Sequence, residues 1–328
     1  MEARKIKQIE ITKLFGYKNI KWTLDDDINI LSGINGTGKS TILSIIGELI
    51  NDISLSYRNI LLAEKVSITF DNDTSINYWR ERQQKIEIPS KINSSTSIHS
   101  IIFPEAERDL LKDKEGEFYY IGFCSSTTKE PLPISIINTF DQSLSSSEDV
   151  KKGADNYEIN TELDLILNNL ENNYFRYNAQ KNNTLVKELE KSDAKERSTL
   201  LANYLNEQQV FNNIIDKLFE QTGKTILINK HIEFKHKNDT ISPYKLSSGE
   251  KQMLIILLKV FLQDKTNSIL IMDEPEISLH FEWQKQLIEV IRKLNPNVQL
   301  IIATHSPFIA MNGWLDKITN ISDITNNQ

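Results

Sequence analysis

The sequence predicts an α/β fold with a parallel core sheet, an antiparallel β arm and a helical insertion. A short apolar strand at 28–31 enters a glycine-rich turn, and apolar residues at helical spacing follow at 42–50. Over roughly the last hundred residues, helix-like and strand-like segments alternate, which is typical of a parallel sheet. Two of these apolar strands end in polar groups, one in Asp273 and Glu274 and the other in His305.

Three consecutive parts are expected along the chain. Residues 1–142 form an N-terminal lobe, in which short strand-like runs of the β arm follow the glycine-rich turn. Residues 143–222 hold a Ser-rich loop and a polar, helix-like stretch, which predicts two or three helices in a protruding hairpin. Residues 223–328 form a C-terminal lobe that contains the alternating helices and strands.

The composition is that of an ordinary globular protein and excludes several classes. The chain has 328 residues, a formal net charge of −7, 39% hydrophobic residues and one cysteine, Cys124. A single cysteine excludes an intrachain disulfide framework and suits a reducing compartment. The longest apolar stretch, 253–262, is far shorter than the ~20 residues that span a bilayer. We therefore expect a cytoplasmic protein without membrane contact and without a generally basic surface.

The glycine-rich turn fits the phosphate-binding pattern G-x-x-x-x-G-K-[ST] at every fixed position. Glycines let successive backbone N–H groups point at phosphate oxygens, and the following helix adds the positive end of its dipole. Lys39 is expected to reach the β- and γ-phosphates, Ser40 to bind Mg²⁺ and Thr41 to contact the α-phosphate of ATP. The competing interpretation is a plain turn between strand and helix. The residues expected to bind nucleotide are Gly33, Asn35, Gly36, Thr37, Gly38, Lys39, Ser40 and Thr41.

The polar strand ends supply the candidate catalytic groups. Asp273 is expected to hold the magnesium shell, and Glu274 to polarise the attacking water. His305 ends a neighbouring parallel strand, where it could donate to the γ-phosphate and sense its loss. The predicted catalytic residues are Lys39, Glu274 and His305. The alternatives are a strand that ends in a charged turn and a structural histidine.

A second anion-binding helix end is predicted at 246–252, where LSSGEKQ precedes an almost wholly apolar helix. Small residues before a buried helix N-terminus offer free N–H groups and a hydroxyl to an anion. The glycine-rich loop already serves one nucleotide, so this segment, hereafter the signature segment, requires a different phosphate. Capping of the helix by Ser247 or Ser248, with Glu250 in the first turn, holds in either case.

The ordered motifs GINGTGKST, LSSGEKQ, ILIMDEP and ATHSP resemble those of ATP-binding-cassette (ABC) ATPases over 1–50 and 224–328. The resemblance implies an ABC-type ATPase head that dimerises head to head, so that Ser247 and Gly249 act on the nucleotide of the partner copy. The SSGE form and the EPEISLH tail look more like the SMC, RecF and OLD group than like transporter cassettes. His280 stands where many cassettes carry the aspartate of the D-loop.

The same resemblance implies a glutamine that contacts Mg²⁺ and nucleotide after a strand, and Gln142 is the residue at that spacing. A solvated loop amide is the alternative for Gln142. The segments between the motifs look like the stand-alone ATPases of bacterial anti-phage systems, with the PARIS ATPase and the ATPase half of OLD nucleases as comparisons.

These features predict a Mg²⁺-dependent ATPase that serves as sensor and regulator of an anti-phage system. Because 23 residues follow His305, the effector, for example a Toprim-type nuclease, is expected on a separate chain. A DNA-repair clamp of the RecF or SMC type is the alternative, with duplex DNA bound at the hairpin and a basic cluster. A transporter cassette ranks third, because the signature departs from SGGQ. The basic cluster comprises Arg80, Arg82, Lys85 and Lys91.

Overall fold

The computed structural model describes most of the chain as a series of strands and helices. It describes residues 5–51, 59–82, 97–100, 119–125, 134–137 and 159–327. The first half contains β1 (Ile6–Leu14), β2 (Lys18–Thr23), β3 (Ile28–Ser32), α1 (Lys39–Asn51), β4 (Lys65–Phe70), β5 (Ser75–Arg82), β6 (Ser97–Ser100), β7 (Tyr119–Ser125) and β8 (Ile134–Ile137).

The second half begins with the two longest helices and returns to alternating elements. It contains α2 (Glu162–Lys191), α3 (Ala194–Phe219), β9 (Lys224–Ile228), β10 (Ile232–His236), β11 (Asp239–Ile241), α4 (Ser248–Phe261), β12 (Ser268–Asp273), α5 (Phe281–Leu294), β13 (Val298–Ala303), α6 (Pro307–Ala310), β14 (Ile318–Asn320) and β15 (Thr325–Asn327). None of the described helices is both long and apolar enough to cross a bilayer.

A five-stranded parallel sheet in the order β14-β3-β13-β12-β8 forms the centre of the molecule. Its inner strands are covered on both faces, so they are continuous apolar runs rather than alternating ones. In β12, Ile269 and Ile271 face one hydrophobic cluster, while Leu270 and Met272 face the other. The predicted α/β class with a parallel core sheet is therefore confirmed.

One face of the core sheet packs on α1 and on a seven-stranded antiparallel sheet of order β15-β2-β1-β4-β5-β7-β6. This second sheet contains the predicted β arm. The side chain of Gln299, fully buried in β13, ties the two sheets together. Its amide nitrogen donates to the carbonyl oxygens of Ile6 and Asp25 at 2.8 and 2.9 Å, and its oxygen accepts from the Ile6 N–H at 2.8 Å.

The opposite face packs on α4, α5 and the base of the hairpin formed by α2 and α3. At this base Tyr174, Phe211 and Phe261 bring their rings together, with centroids 4.5–5.8 Å apart. Side chains farther along both helices are mostly exposed, so the hairpin protrudes as predicted, with two α helices. Capping boxes that begin at Thr161 and Asp193 define the starts of these helices. The division into 1–142, 143–222 and 223–328 stays a prediction.

Candidate active site

The carboxyl ends of β3, β12 and β13 meet at one edge of the parallel sheet, beside the N-terminus of α1. This is where open α/β sheets bind ligands. A cavity of about 360 Å³ opens at this edge. It is lined by Phe15, Asn35, Gly36, Gly38, Lys39, Ser40, Thr41, Glu274 and His305. Gly33 and Thr37 belong to the same loop, so the predicted loop residues and both strand ends come together here.

Backbone geometry explains why glycines occupy this loop. Gly33 has φ of +151°, and a Cβ atom there would lie 2.5 Å from Cγ2 of Ile321. Gly38 has φ of +107°, a region that L side chains rarely adopt, and a Cβ atom would lie 3.0 Å from the Phe15 ring. Gly33 and Gly38 are therefore required by backbone conformation and packing.

Lys39 is the first residue of α1, and its side chain lies across the loop. The ammonium donates to the carbonyl oxygens of Gly33 and Ile34 at 3.1 and 3.2 Å, and it lies 2.6 Å from Nε2 of His305. Burial lowers the pKa of Lys39 below its ordinary value, although the nearby carboxylates, Glu274 first among them, work in the opposite direction. Because the residue is only 4% exposed, water screens its charge weakly, and the charge acts on the groups around the cavity.

Ser40 and Asp273 form the candidate magnesium site. The Ser40 hydroxyl donates to Oδ1 of Asp273 at 3.0 Å, so two oxygen ligands from different elements lie side by side. Burial raises the pKa of the Asp273 carboxyl, the Ser40 hydrogen bond opposes this rise and the Glu274 charge adds to it. The pair fits Mg²⁺, which takes one or two protein oxygens together with phosphate oxygens. Among the described residues no cluster of three His, Cys, Asp or Glu side chains suggests another kind of metal site.

Glu274 has φ of +45°, a left-handed conformation that costs a non-glycine residue about 1–3 kcal/mol and is typical of functional sites. Its N–H donates to the carbonyl oxygen of Ala303 at 2.8 Å, which ties the turn to β13. Its Oε1 lies 3.3 Å from Nε2 of His305. When Lys39 donates to that nitrogen, the nitrogen carries no proton for Glu274, so His305 can hydrogen-bond to only one of the two at a time.

Glu276 is a residue whose role at the site the sequence did not reveal. The sequence suggested only helix capping, because Glu276 follows a proline ahead of a helical segment. In the structure its carboxylate instead accepts hydrogen bonds from the loop that carries His305. No local pattern could have revealed this contact, since the loop lies almost thirty residues farther along the chain.

Phe15 lies on the turn between β1 and β2, and Lys18 is the first residue of β2; both lie beside the phosphate loop. Lys18 donates to the carbonyl oxygen of Thr37 at 2.9 Å, and its ammonium lies within 6 Å of the ring centroids of Phe15 and Tyr17. The turn thus places an aromatic wall against the cavity. The sequence pointed to the stretch from Phe15 to Lys18 without distinguishing a residue.

The signature segment forms a capped helix start outside the cavity. Ser247 is the N-cap of α4, and its hydroxyl exchanges hydrogen bonds with Glu250 in a capping box. Ser247 and Ser248 are exposed. A Cβ atom on Gly249 would lie 2.2 Å from the backbone oxygen of Ser278, so this glycine is required by close packing. Of the described residues that line the cavity, none belongs to the signature segment.

Two predicted features fall wholly or partly outside the described residues. Gln142 lies outside them, as do Lys85 and Lys91 of the basic cluster. The Arg80 guanidinium donates to the carbonyl oxygen of Leu61 at 2.7 Å, so this charge is in part engaged within the protein. The cluster and the glutamine therefore stay predictions.

A profile of the protein family described as "AAA domain, putative AbiEii toxin, Type IV TA system" matches residues 28–312. The chain belongs to this AAA-domain family. The matched part of the AAA domain contains the phosphate loop, the signature segment, the Asp273–Glu274 pair and His305. Its motifs and its sheet architecture are those of an ATPase of the AAA/ABC-like type.

Two relatives match nearly the whole AAA-domain chain. The Retron Vc95 probable ATPase of Vibrio cholerae is 23% identical over 92% of this chain and 61% of its own length. The Septu protein PtuA of Bacillus thuringiensis is 22% identical over 95% of this chain and 74% of its own length. The chain thus spans less than two thirds of the retron relative. The Smc head domain of Pyrococcus furiosus, solved with a domain of ScpA, is 14% identical with a TM-score of 0.49, over 99% of this chain and 96% of that one.

Proposed function

We propose that the protein binds Mg²⁺-ATP and hydrolyses it to ADP and phosphate. The observation that carries this proposal is the convergence of Lys39, the Ser40–Asp273 pair, Glu274 and His305 on one cavity at the edge of the parallel sheet. Hydrolysis of a nucleoside triphosphate uses this combination of groups: a buried cation, a magnesium site, a carboxylate that polarises the water and a donor to the γ-phosphate.

The local charge balance supports magnesium as the cofactor. Asp273, Glu274 and Glu276 all act electrostatically on Lys39, so three carboxylates surround one ammonium group. A triphosphate would add further negative charge to this site. Ser40 and Asp273 would hold the Mg²⁺, which when bound supplies positive charge to the phosphate oxygens.

In the proposed reaction, Glu274 accepts a proton from water as the water oxygen bonds to the γ-phosphorus. The bond between the γ-phosphorus and the bridging oxygen of ADP breaks, and that oxygen takes the electron pair. Lys39 stabilises charge on the phosphates, and His305 donates to a γ-phosphate oxygen. Phe15, on the cavity wall, would stack against the adenine ring.

We further propose a head-to-head dimer in which Ser247 and Gly249 of one copy contact the nucleotide held by the other. The proposal is supported by the exposure of Ser247 and by the position of the signature segment away from the cavity lining. The N-terminus of α4 would then offer its N–H groups to the γ-phosphate of the partner copy. Ile34, 80% exposed at the tip of the phosphate loop, would be covered by such a contact.

At the level of the cell, we propose a sensor and regulatory subunit of a bacterial anti-phage system. The support is the similarity of nearly the whole chain to the retron ATPase and to PtuA. The output would be control of a separate effector, such as a Toprim-type nuclease. A DNA-repair clamp is the competing role.

The ATPase proposal is tested with Glu274→Gln and Lys39→Ala, with Glu282→Gln on the surface of α5 as the matched control. Glu274→Gln should lower kcat by about 10²-fold or more, because the water loses its base, and should accumulate an ATP-bound dimer in light scattering. Lys39→Ala should lower ATP turnover by about 10²-fold or more without trapping a dimer. A Glu274→Gln protein that stays monomeric with full turnover would refute the proposal.

The cellular role is tested by affinity purification from the native host, followed by DNA binding at several salt concentrations. A stoichiometric effector subunit that co-purifies would support the defence role. Tight, ATP-dependent binding of plain duplex DNA that weakens steeply with salt, with no effector recovered, would instead favour the clamp.

A further inference from the structure

The carboxylate of Glu276 is the centre of a compact hydrogen-bond network behind the cavity. Its Oε1 accepts from the Thr304 hydroxyl at 2.7 Å, from the His305 N–H at 2.8 Å and from the Ser306 N–H at 3.1 Å. Three consecutive residues thus bend around one oxygen. Charge-assisted hydrogen bonds of this kind are roughly twice as strong as neutral ones, so the loop conformation depends on this carboxylate.

A second side chain closes the network. Gln284 in α5 donates to the backbone oxygens of Leu279 and Glu276 at 2.8 and 3.4 Å, and its own oxygen accepts from the Ser306 hydroxyl at 2.6 Å. The turn after Glu274 and the loop that carries His305 are therefore held to each other and to α5. Neither can move freely without breaking several of these bonds.

The other carboxylate oxygen of Glu276 is buried and has no hydrogen-bond partner in the described structure. A buried acceptor without a partner is unfavourable, so a carboxylate is a costly choice if the only need is to hold a loop. A glutamine could accept the same bonds without a charge. The retained negative charge acts on Lys39 and Asp273, which connects Glu276 electrostatically to the site as well.

We propose that Glu276 is a positioning residue that sets where His305 stands over the γ-phosphate, an inference that rests on the proposed ATPase function. Nε2 of His305 lies 2.6 Å from Nζ of Lys39 and 3.3 Å from Oε1 of Glu274. A small displacement of the ring would therefore change both contacts. Glu276 holds the backbone from which that ring extends. A shift of about 1 Å in such a group can reduce turnover by about 10²-fold.

The kinetic test is a double-mutant cycle between Glu276→Ala and His305→Ala, with Glu289→Ala as the control on exposed α5 surface. Glu276→Ala should lower kcat by about 10- to 100-fold with less than about a threefold change in KM for ATP. In the His305→Ala background the same change should cost less than about twofold, because its route through His305 is already gone. Equal losses in both backgrounds would overturn the proposal.

Glu276→Gln keeps the size of the side chain and one acceptor oxygen, so it covers the case in which the alanine variant fails to fold. It should restore most of the turnover lost in Glu276→Ala while leaving a measurable deficit, because the charge is gone. Turnover as low as that of the alanine variant would refute the proposal that the hydrogen bonds of Glu276 position His305. Turnover equal to wild type would refute the part assigned to the charge.

Hydrogen exchange without nucleotide separates this inference from the ATPase proposal. The amides of His305 and Ser306 should exchange at least tenfold faster in Glu276→Ala than in wild type, and at the wild-type rate in the control Glu289→Ala. Unchanged exchange of these amides in Glu276→Ala would overturn the proposal that Glu276 holds the His305 loop, whatever the ATPase activity of the variant. A wild-type protein with protected amides and no ATPase activity would instead refute the proposed function. The hydrogen bonds of Glu276 would then hold the loop without serving ATP hydrolysis.

Discussion

The ion pair between Lys251 and Asp164 offers a quantitative test of how the signature segment is joined to the helical hairpin. Lys251 lies in α4, and Asp164 lies in the first turn of α2, with Nζ and Oδ1 2.7 Å apart. The side chains are only 10% and 2% exposed. Asp164 Oδ1 receives no directed hydrogen bond, so the contact depends on charge, while Oδ2 accepts from the N–H groups of Asn160 and Thr161 at 3.1 Å each.

Lys251→Met would leave the Asp164 charge buried beside an apolar side chain. Removal of one partner from a buried ion pair costs about 3–5 kcal/mol. The two backbone hydrogen bonds to Oδ2 remain, so we expect a loss near the lower end, about 3 kcal/mol in the free energy of unfolding. Asp164→Asn removes the charge and keeps an oxygen for those amides. The double variant should therefore be at least about 1.5 kcal/mol more stable than Lys251→Met alone.

The assay is urea unfolding followed by circular dichroism, with Lys293→Met as the matched control. Lys293 and Glu289 form an ion pair of the same 2.7 Å length, but both side chains are 54% exposed. That control should lose only about 0.5 kcal/mol or less. A Lys251→Met variant within about 1 kcal/mol of wild type, or a double variant less stable than the single one, would refute this reasoning.

Three further predictions follow from other contacts. Gly249→Ala should destabilise the protein by about 1–3 kcal/mol in thermal unfolding, because the new Cβ meets the rigid backbone oxygen of Ser278, whereas Ser248→Ala should be nearly neutral. Burial raises the pKa of Asp273, so the Mg²⁺ concentration for half-maximal ATPase activity should rise as pH falls from 8 to 5.5; a flat profile would contradict this. Burial alone would raise the pKa of Glu250, but hydrogen bonds from Lys224 and Ser247 lower it. Its stabilisation is thus present above pH about 4.3 and lost as pH falls through the lowered pKa, and Lys224→Met should flatten that acid limb in unfolding measurements.

Local patterns in the sequence predicted the parts of the site that a few neighbouring residues define. Gly33, Gly38 and Lys39 lie within one loop, and Asp273 ends a continuous apolar run, so spacing alone could indicate them. Their convergence also followed, because parallel strands end at the same edge of a sheet. The structure confirms the α/β class with its parallel core, antiparallel sheet and paired helices, whereas the roles of the site residues stay predictions.

Contacts between distant segments lay beyond any such pattern. The hydrogen bonds of Glu276 to the His305 loop, and the approach of Gly249 to Ser278, each join residues that no local period relates. The sequence suggested capping for Glu276 and phosphate contact for Gly249, which are the roles that local context allows. The structure gives Glu276 different partners from the ones suggested, and it gives Gly249 a packing role beside the predicted one.

The sequence by itself determined the phosphate-loop pattern and the type of sheet, because phosphate loops, strand ends and helix caps are made by residues close together in the chain. Only the tertiary structure decided which distant side chains contact the phosphate loop, the strand ends and the helix caps and fix their positions. Charged side chains such as Lys251 and Glu276 take their partners from segments far away in the chain, and those partners are set by the packing of whole helices and sheets.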